Sequence, residues 1–200
     1  MAYGVNASFG LKINRLNYGP YTGQTNEYPI TSTYNTAIFT QDPVISLADG
    51  SIGIGVAGSP IRGIFVGVKY TDTLGVFRFS PFWPASTAVF AGTTPAALVA
   101  DDPNLIVDVQ ETNAAGSGAG TPLALADRNL NINFRIGTGS TVTGLSGATL
   151  NNETEAVTNT LNLKILGLTP IQGNAVGAFA NWLCAINAHE MKGGVGTPGL

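Results

Sequence analysis

The sequence predicts an all-β protein: a single β-sandwich or barrel-like domain with long loops and extended terminal arms. Apolar and polar residues alternate with a period of two along several short runs, as they do in half-buried strands. The chain contains 26 Gly and 11 Pro, which place turn signals between these runs. Because no stretch combines sustained helical spacing with capping residues, we expect one β-rich domain over residues 1–200, with arms at 1–18 and 190–200.

The expected strands follow one another along the chain, and two of them form a hairpin. Residues 37–47 read as a strand, a turn at Asp42-Pro43 and a second strand. The runs 64–70 and 76–80 flank TDTLG, a five-residue connection that ends in glycine and suits a hairpin loop. Further strands are expected at residues 105–110, 130–136, 161–166 and 181–189. Two short helical candidates occur, at residues 95–99 and 174–179.

The alternation also predicts which side chains share a face. Phe77 and Phe79 share one face of the returning hairpin strand, and we expect both in the core. Phe82 and Trp83 lie beyond that strand between two prolines, where no sheet pairing is expected. This aromatic segment either caps the core or anchors a subunit contact. In the run 130–136, the expected buried face carries Leu130, Ile132, Phe134 and Ile136.

Composition restricts the partners of the chain. Charged residues make up only 10% of it, against about 25% in soluble domains. Such a surface is poorly protected against self-association, which suits a protein in contact with other subunits. The net charge is −3 and the nine Lys and Arg residues are scattered, so we expect no nucleic-acid partner.

Membrane and export signals are not expected. Residues 165–188 contain no charge, but Pro170 and several Asn and Gln residues interrupt them, which argues against a membrane helix. The first ten residues have neither the basic nor the apolar region of a signal peptide. Cys184 is the only cysteine, so no disulfide forms within the chain and an oxidising compartment is not required.

Two motifs resemble catalytic or cofactor-binding signatures but lack their context. Gly53, Gly55 and Gly58 spell G-x-G-x-x-G, yet Pro60 follows and no helix can begin there to bind a pyrophosphate. His189 precedes Glu190 as in a zinc-protease motif, but the chain has no second histidine. A Cys–His dyad with Cys184 is disfavoured because the two side chains alternate onto opposite faces of the expected strand.

Acidic residues offer one further candidate site. Asp101, Asp102 and Asn104, with Asp108 beyond them, supply oxygen ligands that suit a calcium ion. Asp-Pro is also an ordinary turn signal, and no calcium-loop spacing is present. We therefore predict no bound metal and no cofactor, with a structural calcium ion at Asp101 and Asp102 as the alternative.

Aromatic residues are the candidate contact residues. Tyrosine and tryptophan bury a large area at low entropic cost, so we expect a subunit or capsid contact among them; surface turns that close the edge of the core are an equal alternative for the tyrosines. The candidates are Tyr18, Tyr21, Tyr28, Phe82, Trp83 and Trp182. Four of these aromatic residues would instead form a sugar-binding platform: Tyr18, Tyr21, Trp83 and Trp182.

A succession of short phrases resembles one known family. The phrases are GPYTGQTNEYPI (19–30), AIFTQDPV (37–44), GIFVGVKYTD (63–72), FSPFWPA (79–85), DDPNLIVDVQ (101–110), TGLSGATL (143–150), LKILGL (163–168) and GNAVGAFANWLCAINAHEMKG (173–193). Together they resemble the structural proteins of tailed bacteriophages, some of which are head decoration, or cement, proteins. The resemblance covers residues 19–193.

The resemblance implies a capsid decoration protein without enzyme activity. Such a protein binds the major capsid protein on the outer surface of the virion and stabilises the head, after synthesis in the host cytoplasm. It implies a homo-oligomer, with a trimer favoured over a dimer. Alternatives are another virion component such as a head-fibre base or a tail protein, a carbohydrate-binding β-sandwich, and a hydrolase that uses Asp101, Asp102 or His189.

Overall fold

The computed structural model describes residues 4–193 and 195–199, and the chain in this range is built from β-strands. Two 3-10 turns, Leu125–Asp127 and Glu190–Lys192, are its helical segments. The all-β prediction is confirmed. The strands are β1 (Lys12–Leu16), β2 (Asn26–Pro29), β3 (Ile38–Phe39), β4 (Pro43–Ser46), β5 (Ile52–Ile54), β6 (Gly63–Thr71), β7 (Phe77–Ser80), β8 (Phe82–Trp83), β9 (Ala96–Ala100), β10 (Leu105–Thr112), β11 (Asn131–Ile132), β12 (Phe134–Arg135), β13 (Thr149–Asn151), β14 (Leu163–Leu168) and β15 (Asn181–Ile186).

The largest sheet has seven strands and curves into a nearly closed barrel. Its order is β11-β14-β15-β10-β13-β12, with β1 also paired to β10. The strands β11 and β12 lie at opposite ends of this order, yet only Asn133 separates them along the chain. The two ends of the sheet therefore meet at that residue.

The prediction of a single strand over residues 130–136 is wrong, because Asn133 divides this segment into β11 and β12. The Asn133 carbonyl accepts the Asn151 N–H at 2.9 Å, and its side-chain oxygen accepts the Asn162 N–H at 3.3 Å. These bonds hold a corner, because the residue before Asn133 pairs with β14 and the residue after it pairs with β13. Alternation alone does not reveal such a corner, since the side chains on either side of it keep their spacing.

The second sheet has six strands in the order β2-β9-β6-β4-β5, with β7 paired to β6. The hairpin expected from the sequence is confirmed as β6 and β7, which pair antiparallel from Val68↔Ser80 to Thr71↔Phe77. A small separate sheet joins β3 to β8, with Ile38 opposite Trp83 and Phe39 opposite Phe82.

The β8 pairing contradicts the expectation that residues 82–83 lie outside any sheet. Pro81 and Pro84 flank the paired residues and do not occupy them, so Phe82 and Trp83 keep their own N–H groups. Proline excludes only its own position from the hydrogen bonds of a sheet. A strand of two residues therefore fits between Pro81 and Pro84.

Two hydrophobic clusters form the core. One fills the barrel and includes Trp182, Phe134 and Leu105. The other lies on one face of the six-stranded sheet and includes Trp83. Successive residues of β6 contribute to both clusters, because Ile64 packs in the first cluster and Phe65 packs in the second.

Neither helical candidate is a helix. Four of the residues expected as a helix at 95–99 belong to β9, which pairs with β2 and β6 and buries Ala97, Val99 and Ala100. Residues 174–179 contain no helix, and 176–179 form a bend and a turn. In both cases pairing or packing with distant strands outweighs a weak local propensity.

The expected arms at 1–18 and 190–200 lie partly outside the described residues, namely 1–3, 194 and 200. Within the first arm, residues 12–16 form β1, which pairs antiparallel with β10. In the second arm, residues 195–199 run along the barrel. The Asn131 side chain donates to the Thr197 carbonyl at 2.7 Å, and the Lys164 ammonium donates to the Pro198 carbonyl at 2.6 Å.

Asp42 is a buried acid that joins β3, β6 and the loop before β13. Its carboxylate accepts the Phe39 N–H at 2.7 Å and the Ser146 hydroxyl, and its backbone carbonyl accepts the Phe65 N–H at 2.8 Å. Burial raises the pKa of Asp42 to about 6, despite the opposing effect of the two hydrogen bonds. The folded protein therefore binds a proton at this group that the unfolded chain releases at a lower pH.

We expect Asp42 to weaken the fold as the pH rises from 5 to 7.5. Because the folded-state pKa lies above the unfolded value, the stabilisation from this group is full below about pH 4 and is lost as the pH passes through 6. Urea unfolding of the native chain and of Asp42→Asn at pH 5 and pH 7.5 measures the change in the free energy of unfolding. The native chain should lose on the order of 1 kcal/mol more than the variant between these pH values; equal losses would contradict the assignment.

Candidate interaction surface

The turn between β6 and β7 is held by one aspartate. The Asp72 carboxylate accepts the N–H groups of Leu74 and Val76, each at 3.0 Å, and the Arg78 guanidinium at 2.8 Å. These hydrogen bonds, with the one from Arg78 the strongest, hold the pKa of Asp72 below its usual range. Gly75 has a φ of 79°, a conformation that glycine adopts without strain. The sequence TDTLG thus specifies a rigid turn.

Large apolar side chains cover this hairpin on its solvent side. The exposed fraction is 82% for Leu74, 67% for Phe77, 64% for Phe79, 47% for Phe90 and 46% for Val76. Phe90 joins the group because its N–H bonds the Thr71 carbonyl at 3.0 Å and places its ring beside the turn. We call these five side chains the hairpin surface.

The positions of Phe77 and Phe79 contradict the expectation that they lie in the core. In the register of the hairpin, Phe79 lies opposite Lys69 and Phe77 lies opposite Thr71. The other face of β6 at this point carries Val68 and Tyr70, which pack in the second cluster. Phe77 and Phe79 therefore share the face that points to solvent.

The charges next to the hairpin surface are paired within the chain. Lys69 forms an ion pair with Glu27 of β2, and Arg78 forms one with Asp72. The charged groups that border the apolar surface are therefore neutralised by their partners, and they do not repel another apolar surface. Charged side chains are one of the devices by which monomeric proteins prevent association at sheet edges, and here these charges are offset within the chain.

The three candidate tyrosines lie together, around the adjacent acids Asp101 and Asp102. The Tyr18 hydroxyl donates to Asp102, and the Tyr28 hydroxyl donates to Asp101. Tyr28 also accepts the Arg62 guanidinium at 2.6 Å. These contacts tie the loop before β2 to the segment between β9 and β10.

Tyr21 lines a cleft of about 300 Å³ beside this network. The floor of the cleft includes Asp101 and Asp102, whose oxygens already accept hydrogen bonds from tyrosine and asparagine side chains. Asp108, the more distant acid of the proposed calcium site, accepts the Thr169 hydroxyl at 2.6 Å. Across the described ranges, no three or more His, Cys, Asp or Glu side chains come together as a metal-binding group.

The remaining aromatic candidates lie in three different places. Phe82 is half-buried and stacks on Phe39 with ring centroids 5.4 Å apart. Trp83 and Trp182 are fully buried, one in each cluster. Neither tryptophan side chain is on the surface of the chain, so the four-residue sugar platform is not assembled.

His189 and Cys184 are both buried. The His189 Nδ1 accepts the Met191 N–H at 3.0 Å, and burial lowers the histidine pKa, so the ring is neutral with its proton on Nε2. Burial in the barrel core raises the pKa of the Cys184 thiol far above its usual range. A thiol held protonated in this way is a poor nucleophile.

The hairpin surface is not among the contact residues that the sequence predicts. The prediction that Phe77 and Phe79 share one face of a strand is confirmed, but the prediction that this face is covered is wrong. The available signal was the run FRFS, in which the only charge alternates with two phenylalanines next to a polar turn.

Comparison with known proteins finds no matching family model, no matching curated protein and no matching solved structure. In the portion that the structure describes, no helix is long and apolar enough to cross a membrane.

Proposed function

We propose that the chain is a structural protein of a virus particle that binds the assembled capsid shell and stabilises the head, as decoration proteins do. The observation that carries the proposal is the hairpin surface. Its five exposed side chains present roughly 500 Å² of apolar area, at the upper end of what isolated soluble domains expose. A surface of this kind favours contact with another protein subunit of an assembly, either a shell protein or a second copy of this chain.

Composition supports the same proposal. A chain with only 10% charged residues has little electrostatic protection against association. Its side chains are mainly apolar, hydroxyl and amide groups, which suit contacts with neighbouring subunits. Each subunit that bridges two shell proteins adds a modest contact, and repetition over the shell multiplies the effect.

Co-sedimentation tests the proposal directly. Purified protein is mixed with empty expanded shells assembled from the major capsid protein of the same phage, and the shells are pelleted. We expect the protein in the pellet at saturating, stoichiometric amounts, and shells with bound protein should withstand a higher temperature. A protein that stays in the supernatant at micromolar concentrations would rule out the decoration role.

The copy number per virion separates this role from a tail or fibre role. A mass-resolved gel of purified particles should show hundreds of copies of the chain. A dozen copies or fewer would place the protein in the tail or at a fibre base and contradict the proposed position on the shell.

A further inference from the structure

We propose that β7 pairs antiparallel with the β7 strand of a second copy, so that two six-stranded sheets join across a two-fold axis. This inference deepens the proposed function and rests on it, because it names the partner of the hairpin surface as another copy of the same chain. It is carried by the backbone of β7, by its exposed side chains and by its neutralised charges.

The outer edge of β7 presents hydrogen-bonding groups. The Asp72 N–H bonds the Val76 carbonyl at 2.9 Å, and bonded pairs recur at every second residue of an antiparallel ladder. Tyr70↔Arg78 is therefore a bonded pair. It follows that the N–H and C=O groups of Phe77 and Phe79 point away from β6, toward an edge on which no strand of residues 4–193 and 195–199 pairs with β7.

The same two residues carry the exposed aromatic side chains. Phe77 and Phe79 each expose about two thirds of their surface. Unpaired backbone groups flanked by exposed aromatic side chains form an edge that favours pairing with another strand. Phe90 lies on the β9 side of β6, so the junction buries part of the roughly 500 Å² of the hairpin surface, against about 800 Å² for each partner of a standard interface.

One register satisfies the most backbone groups. If the two-fold axis passes beside Arg78, Phe77 lies opposite Phe79 of the second copy, and Phe79 lies opposite its Phe77. Both positions have outward-pointing N–H and C=O groups, so each pair exchanges two hydrogen bonds and the aromatic side chains meet across the junction. A two-fold contact of this type is self-complementary.

The charges also favour a second copy. The chosen register brings the two Arg78 residues opposite each other, which is unfavourable for unpaired like charges. Arg78 is already bonded to Asp72 of its own chain, so the edge meets its copy as a neutral pair. A strongly charged partner would gain little at such an edge.

Sedimentation equilibrium of the purified full chain tests the pairing. We expect a monomer–dimer equilibrium in the native chain and a dissociation constant raised by about 100-fold in Phe77→Thr/Phe79→Thr. Val157→Thr, at an exposed position next to β11 of the barrel, is the matched control and should dimerise like the native chain. Asp72→Asn keeps an acceptor for the turn but removes the partner of Arg78, so its dimer should be weaker, most clearly at low salt.

A cysteine at the two-fold axis tests the register. In a non-bonded antiparallel pair the Cα atoms are about 4.5 Å apart, within the range of a disulfide. Arg78→Cys should therefore cross-link two copies under mild oxidation, whereas Val157→Cys, next to β11 of the barrel, should not. Far-ultraviolet circular dichroism of each variant confirms that it is folded.

Three outcomes would overturn the inference: a native chain that is monomeric up to 100 micromolar, an oligomer that persists in the double threonine variant, or a dimer in which Arg78→Cys does not cross-link. Shell binding is scored separately with the same proteins. A monomer that still binds shells contradicts the strand pairing alone, whereas a dimer that binds none contradicts the proposed function alone.

Discussion

Replacing Trp83 by Ala is expected to destabilise the fold by about 3–5 kcal/mol, the cost of removing a large aromatic side chain from a closed core. Trp83 is fully buried in the second cluster and meets the Tyr70 ring edge-on with centroids 5.6 Å apart. It also anchors the β3–β8 pair opposite Ile38. Chemical unfolding followed by circular dichroism measures the loss.

A conservative variant at the same position serves as the control. The Trp83 Nε1 has no hydrogen-bond partner within residues 4–193 and 195–199, so Trp83→Phe removes volume without breaking a bond and should cost about 1–2 kcal/mol. Val142→Ala, at an exposed position, should leave stability unchanged. A Trp83→Ala protein with native stability but lost self-association would make Trp83 an interface anchor and contradict its role as core.

Replacing Glu111 by Ala is expected to cost about 3 kcal/mol, because it leaves several buried donors without an acceptor. Glu111 is fully buried at the end of β10. Its carboxylate accepts the Leu123 N–H at 2.8 Å, the Asn152 side-chain N–H at 3.0 Å and the Trp182 indole N–H at 3.2 Å. These bonds connect the barrel core to the loop before the first 3-10 turn.

Glu111→Gln separates the lost hydrogen bonds from the lost volume. The amide keeps one acceptor oxygen and nearly the same shape, and it removes a carboxyl whose pKa is raised by burial. We expect it to cost less than half as much as the alanine variant at pH 7. If both variants lose the same stability, the amide oxygen does not take over any of the hydrogen bonds of the carboxylate, and the expected partial rescue would be wrong.

The hairpin shows which structural features the alternation of apolar and polar residues can predict. The turn chemistry of TDTLG and the two alternating runs predicted β6 and β7 at nearly their observed bounds. The same alternation placed Phe77 and Phe79 together but could not tell which face of the sheet is covered. That choice depends on where the second hydrophobic cluster packs, and its members come from strands as distant as β3, β5 and β9.

For Phe82 and Trp83 the error runs the other way, because residues expected outside any sheet are paired in one. Prolines on both sides of Phe82-Trp83 suggested a segment outside any sheet, yet the two residues pair with Ile38 and Phe39. The partner strand is more than 40 positions earlier in the chain, and nothing local to the segment indicates it. As a result, the candidate contact residue Trp83 is core, and the exposed aromatic surface lies a few residues earlier.

The sequence by itself determined the strand-rich architecture, the hairpin and the scarcity of charge, because each depends on local spacing, turn residues or composition. Only the tertiary structure decided that Asn133 closes a barrel, that both tryptophans are buried and that the phenylalanines of β7 face solvent on a free edge. These features depend on which distant segments meet. A strand has two similar faces and two similar edges, and only its neighbours in the fold determine which of them stays exposed.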